Sequence, residues 1–240
     1  MRIDAYFAIP EVDPATIGDA TVVVVDVLRG TTTIIEALAN GARAIYPTTS
    51  TEDAVKLASS LGRDDTLLCG ERRGRKVEGF DLGNSPHEFT AEAVDGMKLV
   101  MSTTNGTRAL AVGQEGARIL PCAFSNIGAV SASVAGDERL VMICAGLDDR
   151  FSLDDALCVG HLIRRIGDAG GKSPRLNDAA RGALWLARGQ EPTAAFLEAT
   201  AAGAALVEIG MGADLEICAE VDRHDIVAEM TDKTITRSGA

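Results

Sequence analysis

Short apolar runs alternate with helical patterns along most of the chain. Val22–Val25 is a β-branched run without polar alternation, which is typical of a strand covered on both faces in a parallel sheet. A helical pattern follows from Ile34 to Asn40, and Gly41 suits the end of that helix. This stretch therefore predicts a buried central strand followed by a helix.

The same order of strand, loop and helix recurs along the chain. Further strands are predicted at Arg2–Ile9, Ala42–Tyr46, Thr66–Cys69, Lys98–Ser102, Ala117–Ala123 and Leu140–Cys144, and further helices near Thr51, Ser85, Arg108, Ser125 and Leu153. Such recurrence is typical of α/β proteins whose strands are mainly parallel. We therefore predict a layered α/β/α fold with a largely parallel or mixed sheet.

The C-terminal third has a different pattern. Ser173–Cys218 is rich in alanine and helical throughout, and Ile226–Thr236 predicts one late strand. We predict a single α/β domain over residues 1–240. The alternative is a subdivision near residue 170, into an α/β core (1–170) and a mainly helical segment (171–240).

Composition narrows the class of protein. The chain has 240 residues and a net charge of −12, which argues against nucleic-acid binding. No apolar run is long enough for a transmembrane helix, and Met1–Pro10 lacks the apolar region of a signal peptide. The five cysteines lack close pairs and indicate neither a disulfide framework nor a zinc site. We expect a cytoplasmic protein, with a homodimer as a candidate assembly.

The predicted central strand ends in residues suited to phosphate chemistry. Asp26 follows the valines and precedes Arg29, Thr31 and Thr32. Arginine, and the hydroxyls and amides at a helix start, all suit phosphate oxygens. A strand-ending aspartate with a threonine helix cap explains this stretch alone equally well.

Two other strand ends extend the pattern. One carries Thr103, Thr104, Asn105 and Gly106, and the other carries Glu71 among Arg72, Arg73, Arg75 and Lys76, ahead of an irregular segment that reaches Asn84 and Ser85. A long irregular segment inside a compact domain is usually functional or disordered. The apolar residues Phe80 and Leu82 favour an ordered loop here.

Carboxylates and phosphate-binding groups together predict a magnesium site. Carboxylates would repel phosphate unless a cation lay between them, and Mg²⁺ prefers a few carboxylates, water and substrate phosphate. The basic cluster Arg72–Lys76 in an acidic protein suits a small polyanionic phosphate ester as the substrate. The alternative is that the threonines only cap helices and the cluster is a solvated loop or a dimer contact.

One stretch resembles a nucleotide-binding P-loop without matching it. Gly167–Ser173 (GDAGGKS) is one residue short of the P-loop spacing, and a helix precedes it instead of a strand. We interpret it as the end of a helix and a turn.

Several stretches together resemble the 2-phosphosulfolactate phosphatase (ComB) family. They are DVLRGTTTI at Asp26–Ile34, GE at Gly70–Glu71, GFDLGNSP at Gly79–Pro86, STTNGT at Ser102–Thr107, CAG and SLDDAL within Cys144–Leu157, and GADLEICAEVD at Gly212–Asp222. The resemblance implies a magnesium-dependent phosphatase that converts 2-phospho-3-sulfolactate into 3-sulfolactate, a step towards coenzyme M. Two rival hypotheses are a phosphatase for another 2-phospho-hydroxy acid and a noncatalytic anion-binding protein.

The resemblance also implies roles for matching residues. Asp26 and Glu71 would be carboxylates on the metal side, and Asp26 is also a candidate nucleophile. The full predicted site comprises catalytic Asp26, Arg29, Glu71 and Asn105, substrate-binding Thr31, Thr32, Arg72, Arg75, Asn84, Ser85, Thr103, Thr104 and Gly106, and metal-binding Asp26, Glu71 and Asp154. At two positions the sequence departs from the family: Gly30 replaces the usual alanine, and the shorter Asp154 stands where glutamate is expected.

Overall fold

The computed structural model describes residues 1–62, 64–170 and 173–239, except for the side chains of residues 169 and 170. The strands of this part of the chain are β1 (Arg2–Tyr6), β2 (Thr21–Val25), β3 (Ala44–Pro47), β4 (Thr66–Arg72), β5 (Arg75–Lys76), β6 (Lys98–Ser102), β7 (Arg118–Cys122), β8 (Arg139–Cys144), β9 (Arg175–Leu176), β10 (Ala228–Thr231) and β11 (Thr234–Arg237). The α-helices are α1 (Gly30–Ala39), α2 (Thr51–Leu61), α3 (Ala91–Val94), α4 (Gly106–Val112), α5 (Ile127–Ser133), α6 (Leu153–Gly170), α7 (Asp178–Gly189), α8 (Ala194–Glu198), α9 (Ala201–Glu208) and α10 (Asp214–Ala219).

The eleven described strands form one mixed sheet in the order β5-β4-β6-β3-β11-β10-β7-β2-β8-β1-β9. It contains two parallel blocks, β4-β6-β3 and β7-β2-β8-β1-β9. The C-terminal hairpin β10–β11 joins the blocks through antiparallel pairs of Met230 with Ile119 and of Ile235 with Ile45. Helices cover both faces, so the predicted layered α/β/α fold class is confirmed.

Strand β2 lies inside the larger block and is buried on both faces, as predicted. Val23 and Val25 belong to the core that includes α5, α6 and α7. Val22 and Val24 belong to the opposite core, which includes α1 and α4. A shift of one residue would exchange the two sets of side chains, so the packing fixes the register of β2 and the position of Asp26 at its end.

The structure differs from the sequence prediction mainly after residue 170. Arg175–Leu176 forms the edge strand β9 within the stretch predicted to be wholly helical, and the chain ends in a hairpin instead of one strand. The hairpin turns through Asp232 and Lys233, which both have positive φ. This pair lacks the glycine that usually marks such turns, which is why the sequence predicts a single strand. Residues 1–170 and 173–239 therefore contribute strands to the same sheet.

The segment after Glu71 is ordered, as its apolar residues predict, but it is less irregular than expected. Strand β4 continues to Arg72 and forms a hairpin with β5, and Phe80 is buried. Pro86–Glu88 forms a 3-10 helix instead of an α-helix. The P-loop-like stretch includes residues 171 and 172, which lie outside the described residues; its beginning, Gly167–Gly170, is the end of α6.

The sequence predicts neither a disulfide framework nor a transmembrane helix, and the cysteines and helices of the structure can be compared with both predictions. All five cysteines are free and buried. None of the helices in the described part of the chain is long and apolar enough to cross a membrane.

Helices α6 and α7 approach each other closely at Gly160. A Cβ atom there would collide with the backbone carbonyl of Ala183 and lie 2.9 Å from Ala187 Cβ. We expect Gly160→Ala to force the helices apart and to lower the free energy of unfolding by about 1–3 kcal/mol. Thermal unfolding measures the loss as a shift in the midpoint.

Gly167 provides a matched control on the same helix. A Cβ atom there meets no described atom within 4 Å. Gly167→Ala should therefore raise stability by about 0.5–1 kcal/mol, because alanine restricts the unfolded chain and favours helix. Equal effects of the two substitutions would contradict the close contact at Gly160.

Candidate active site

A cavity of about 360 Å³ lies where the loops after β2, β4 and β6 meet helix α9. It is lined by Asp26, Leu28, Arg29, Glu71, Arg73, Gly74, Asn84, Thr104, Asn105, Leu147, Asp148, Ala202, Ala205, Leu206, Glu208 and Ile209. Six residues of the predicted site are in this lining: Asp26, Arg29, Glu71, Asn84, Thr104 and Asn105. The structure therefore brings together residues from three separate strand ends.

Asp26 is buried at the end of β2 and held by the start of α1. Its Oδ1 accepts a hydrogen bond from the Gly30 amide at 3.1 Å. A Cβ atom on Gly30 would lie 2.6 Å from Asp26 Oδ2, and one on Gly106, at the start of α4, would lie closer still. The carboxylate thus fills space that a side chain at either glycine would occupy.

Glu71 joins two loops of the cavity through backbone amides. Its Oε1 accepts from Thr104 N at 2.6 Å, and its Oε2 accepts from Gly74 N at 2.7 Å. The side chain belongs to a residue that is only 7% exposed. Each oxygen keeps a further lone pair, so Glu71 can still act as a ligand inside the cavity.

A buried ion pair fixes the guanidinium group of Arg29. Arg29 Nη1 lies 2.6 Å from Asp214 Oδ2 in α10, and Nη2 donates to the Gly74 carbonyl at 2.7 Å. Ser85 Oγ donates to the other oxygen of Asp214 at 2.6 Å. These contacts use two of the five N–H donors of Arg29 and leave the others for a ligand.

Two buried oxygen atoms in the cavity lining lack hydrogen-bond partners. They are Asn84 Oδ1 and Thr104 Oγ1, which find no partner among the described residues. Leaving a buried polar atom unsatisfied is unfavourable by roughly 1–3 kcal/mol. Their place in the cavity lining suits a ligand that completes their hydrogen bonding or coordination.

The predicted hydroxyl groups of Thr31, Thr32 and Thr103 do not line the cavity. Thr31 Oγ1 exchanges hydrogen bonds with the Asp26 backbone, and Thr32 Oγ1 donates to the Val27 carbonyl at 2.8 Å. Thr103 Oγ1 accepts from the amide of Thr107 at 3.1 Å. These threonines stabilise the loops that carry the site.

Arg72 and Arg75 also lie outside the cavity lining. Arg72 donates to both the carbonyl and the hydroxyl of Ser102, so it ties β4 to β6. Arg75 is exposed on β5. Ser85 and Gly106, the other predicted substrate-binding residues outside the lining, contact Asp214 and Asp26 respectively.

Asp154 is buried near Asp26 but is not part of the cavity lining. It accepts a hydrogen bond from Ser152 Oγ at 2.5 Å, and burial raises its pKa. The neighbouring Asp155 accepts from Val27 N and Gly146 N, which joins the loops after β2 and β8. Burial, with the charges of Asp154 and Asp26, raises the pKa of Asp155 well above its ordinary value.

Sequence reasoning did not assign the far wall of the cavity or the partner of Arg29. Helix α9 and its end supply Ala202, Ala205, Leu206, Glu208 and Ile209, an alanine-rich pattern without any chemical signature. Asp214 lies in the GADLEICAEVD stretch, whose resemblance to the family was the available signal. Asp148 also lines the cavity, within the acidic stretch after β8.

Comparison with known proteins covers nearly the whole chain. A sequence model of the 2-phosphosulpholactate phosphatase family matches residues 7–233. The chain belongs to this family. It is 33% identical over 237 residues to a probable 2-phosphosulfolactate phosphatase of Clostridium beijerinckii, covering 98% of this chain and 99% of the relative. A protein of the same description from Clostridium acetobutylicum is 34% identical over 98% and 100% of the two chains, and one from Thermotoga petrophila is 37% identical over 84% and 85%.

The oxygen donors of the cavity fit a hard divalent cation whose remaining coordination positions are filled by water and a phosphate ligand. Among the described residues, no group of three or more His, Cys, Asp and Glu side chains is arranged to hold a metal ion. The cavity instead combines the carboxylates of Asp26 and Glu71 with the unpartnered Asn84 Oδ1. Magnesium is usually bound through one or two carboxylates, with water and substrate phosphate filling its other positions.

The buried carboxylates give the metal-free protein a predictable dependence on pH. Burial, together with the charges of Asp154 and Glu71, raises the pKa of Asp26 from 3.8 to about 7. The folded state therefore holds a proton at Asp26 more tightly than the unfolded chain. The resulting stabilisation is complete below about pH 4 and is lost as the pH rises through about 7.

Asp26→Asn should relieve this loss because asparagine cannot ionise. In EDTA at pH 8 we expect the midpoint of thermal unfolding to rise by about 5 °C, with little change at pH 4, where the stabilisation by the raised pKa is still nearly complete. Asp65→Asn is the control, because exposed Asp65 pairs with Arg43 and Lys98 and has a lowered pKa. A variant at Asp26 that is less stable than the wild type at both pH values would contradict the raised pKa.

Proposed function

We propose that this protein is a magnesium-dependent phosphatase that hydrolyses 2-phospho-3-sulfolactate to 3-sulfolactate and phosphate, a reaction of coenzyme M biosynthesis. The observation that carries the proposal is one cavity that joins two carboxylates, a fixed guanidinium group and two unpartnered buried oxygens. Family membership supplies the reaction class, and the names of curated relatives supply the substrate. A cytoplasmic location is part of the proposal, because all five thiols are free.

The balance of charge supports the magnesium part of the proposal. Four carboxylates line the cavity, those of Asp26, Glu71, Asp148 and Glu208, against the guanidinium groups of Arg29 and Arg73. A phosphate dianion would be repelled from such a lining without a further cation. Asp26 and Glu71 would hold the ion, and Asn84 Oδ1 would provide another oxygen. When bound, Mg²⁺ neutralises charge on the phosphoryl oxygens and polarises the phosphorus centre.

Arg29 binds and orients the phosphoryl group in this mechanism. Asp214 and the Gly74 carbonyl hold two of its nitrogen atoms, so its remaining donors are fixed before substrate arrives. Preorganised donors stabilise charge that develops in a transition state without further reorganisation. Arg29 is only 3% exposed, which reduces competition from water for these donors.

Asp26 serves phosphoryl transfer in its ionised form. It either holds the metal ion while water attacks phosphorus, or it attacks phosphorus itself through a carboxylate oxygen. In both cases the ester oxygen leaves with its bonding electrons, and in the second case water then hydrolyses the aspartyl phosphate to free phosphate. Because its pKa is raised to about 7, a cation bound beside it would favour the ionised form near neutral pH. Trapping of a phosphorylated enzyme distinguishes the two roles.

Asp26→Asn tests the proposal because asparagine keeps the shape of the side chain and removes its charge. We expect phosphate release from 2-phospho-3-sulfolactate to fall by roughly a thousandfold or more, with the fold retained. The wild type should lose its activity in EDTA and regain it with Mg²⁺. Steady-state phosphate release measures both effects.

Asp65→Asn is again the matched control. Asp65 precedes the start of β4, whereas Glu71 and the cavity lie at the other end of this strand. The substitution should change turnover by less than about twofold. Near-normal turnover of Asp26→Asn would mean that the active site lies elsewhere. If the protein hydrolyses other 2-phospho-hydroxy acids but not 2-phospho-3-sulfolactate, it is a phosphatase with a different substrate. If it binds these esters without hydrolysing any of them, it is a noncatalytic anion-binding protein.

A further inference from the structure

Arg73 is a cation in the cavity lining that has no ion-pair or hydrogen-bond partner among the described residues. Arg29, the other guanidinium group of the lining, is paired with Asp214. Arg73 makes no ion pair or hydrogen bond through its side chain with any residue in 1–62, 64–170 or 173–239. The Arg73 side chain is exposed, and the carboxylates of the cavity lining form no ion pair with it. Its guanidinium group is therefore available to an anionic ligand.

The turn that carries Arg73 is fixed by the active site itself. Arg73 and Gly74 connect β4 to β5, and both have positive φ, 53° and 77°. Gly74 N donates to Glu71 Oε2 and Gly74 O accepts from Arg29 Nη2, each at 2.7 Å. The backbone beside Arg73 is therefore bound to two residues that the proposed mechanism uses.

Helix α9 holds the same turn from the other side. A Cβ atom on Gly74 would lie 2.6 Å from Ile209 Cδ1 and 3.7 Å from Leu206 Cδ2. These apolar side chains also line the cavity. Arg73 is therefore carried on a turn that packs against one wall of the cavity.

Arginine is an unfavourable choice for the conformation at position 73. Two-residue hairpin turns of this type favour asparagine, aspartate or glycine where φ is positive. A strained residue persists where surrounding contacts impose it, and such residues are concentrated at ligand sites. An arginine in this strained conformation therefore favours a function for its side chain.

We propose that Arg73 binds the second anionic group of the substrate, the sulfonate or carboxylate beyond the phosphorylated carbon. This assignment rests on the proposed function and narrows its substrate class to short phosphate esters that carry a further anion. Arg29 and the cation serve the phosphate, whereas Arg73 is free to pair with an oxyanion through two parallel N–H donors. Arg72 is engaged with Ser102, so the basic cluster acts mainly through one residue.

Equilibrium titration of product fragments tests this assignment without requiring turnover. The variant is Arg73→Gly, because glycine accepts the positive φ and leaves the turn intact; thermal unfolding checks the fold. With Mg²⁺ present, we expect affinity for 3-sulfolactate to fall about tenfold and affinity for inorganic phosphate to change less than twofold. Arg73→Lys should lie between, because lysine keeps the charge without the planar fork. Titration of lactate shows whether the sulfonate or the carboxylate is bound.

Arg75→Ala separates a direct contact from the general charge of the hairpin. It removes an equal charge outside the cavity and should weaken 3-sulfolactate binding several-fold less than Arg73→Gly. Equal losses in the two variants, or equal losses for phosphate and 3-sulfolactate in Arg73→Gly, would overturn the assignment.

Kinetics distinguish failure of this assignment from failure of the proposed function. Arg73→Gly should raise KM for 2-phospho-3-sulfolactate about tenfold with little change in kcat. A wild type that hydrolyses this ester while Arg73→Gly keeps its KM would retain the function and overturn the assignment. A wild type that binds 3-sulfolactate through Arg73 without hydrolysing the ester would retain the assignment and overturn the proposed function.

Discussion

The packing of Asp26 against Gly30 and Gly106 determines the geometry of the candidate active site. Two hydrophobic cores fix the register of β2, and the two glycines at the starts of α1 and α4 leave just enough room for the carboxylate. A methyl group at position 30 would meet Asp26 Oδ2. The orientation of Asp26 in this protein therefore depends on glycine at that position. The same close packing excludes water and raises the pKa of the carboxyl group.

A second network connects distant parts of the chain to the same cavity. Asp214 holds Arg29, Arg29 binds the Gly74 carbonyl, and the Gly74 amide binds Glu71. Glu71 in turn accepts from the amide of Thr104. Removing one partner of a buried ion pair such as Arg29–Asp214 is strongly destabilising, because the other charge is left uncompensated. The C-terminal helices are for this reason part of the candidate active site.

The sequence was sufficient to predict the fold class and to predict that residues from several strand ends lie close together. Val22–Val25 predicted a doubly covered strand, and Asp26, Glu71 and Asn105 were predicted beside one ligand because they follow or end strands. Thr31 and Thr32 were harder to assign, because a hydroxyl at a helix start can serve a phosphate or the backbone equally well. Their hydrogen bonds to Asp26 and Val27 could be seen only in three dimensions.

Other features of the site carried no local signal. The wall formed by Leu206 and Ile209 has the composition of any packed helix, and its place over the cavity follows from long-range packing. The lack of a partner for Arg73 among the described residues also depends on tertiary structure, since its neighbours Arg72 and Arg75 are chemically identical to it. Periodicity and residue type predict elements, but they do not predict which of several equal side chains faces a cavity.

In the proposed mechanism, the carboxylates of the cavity bind a cation, which in turn binds phosphate. Titration of inorganic phosphate with and without Mg²⁺ tests this proposal most directly. If Asp26 and Glu71 bind the ion, Mg²⁺ should tighten phosphate binding by about tenfold or more, and phosphate should tighten Mg²⁺ binding by the same factor. The coupling should disappear in Asp26→Asn. Phosphate that binds with equal affinity in Mg²⁺ and in EDTA would contradict a metal-assisted phosphate site.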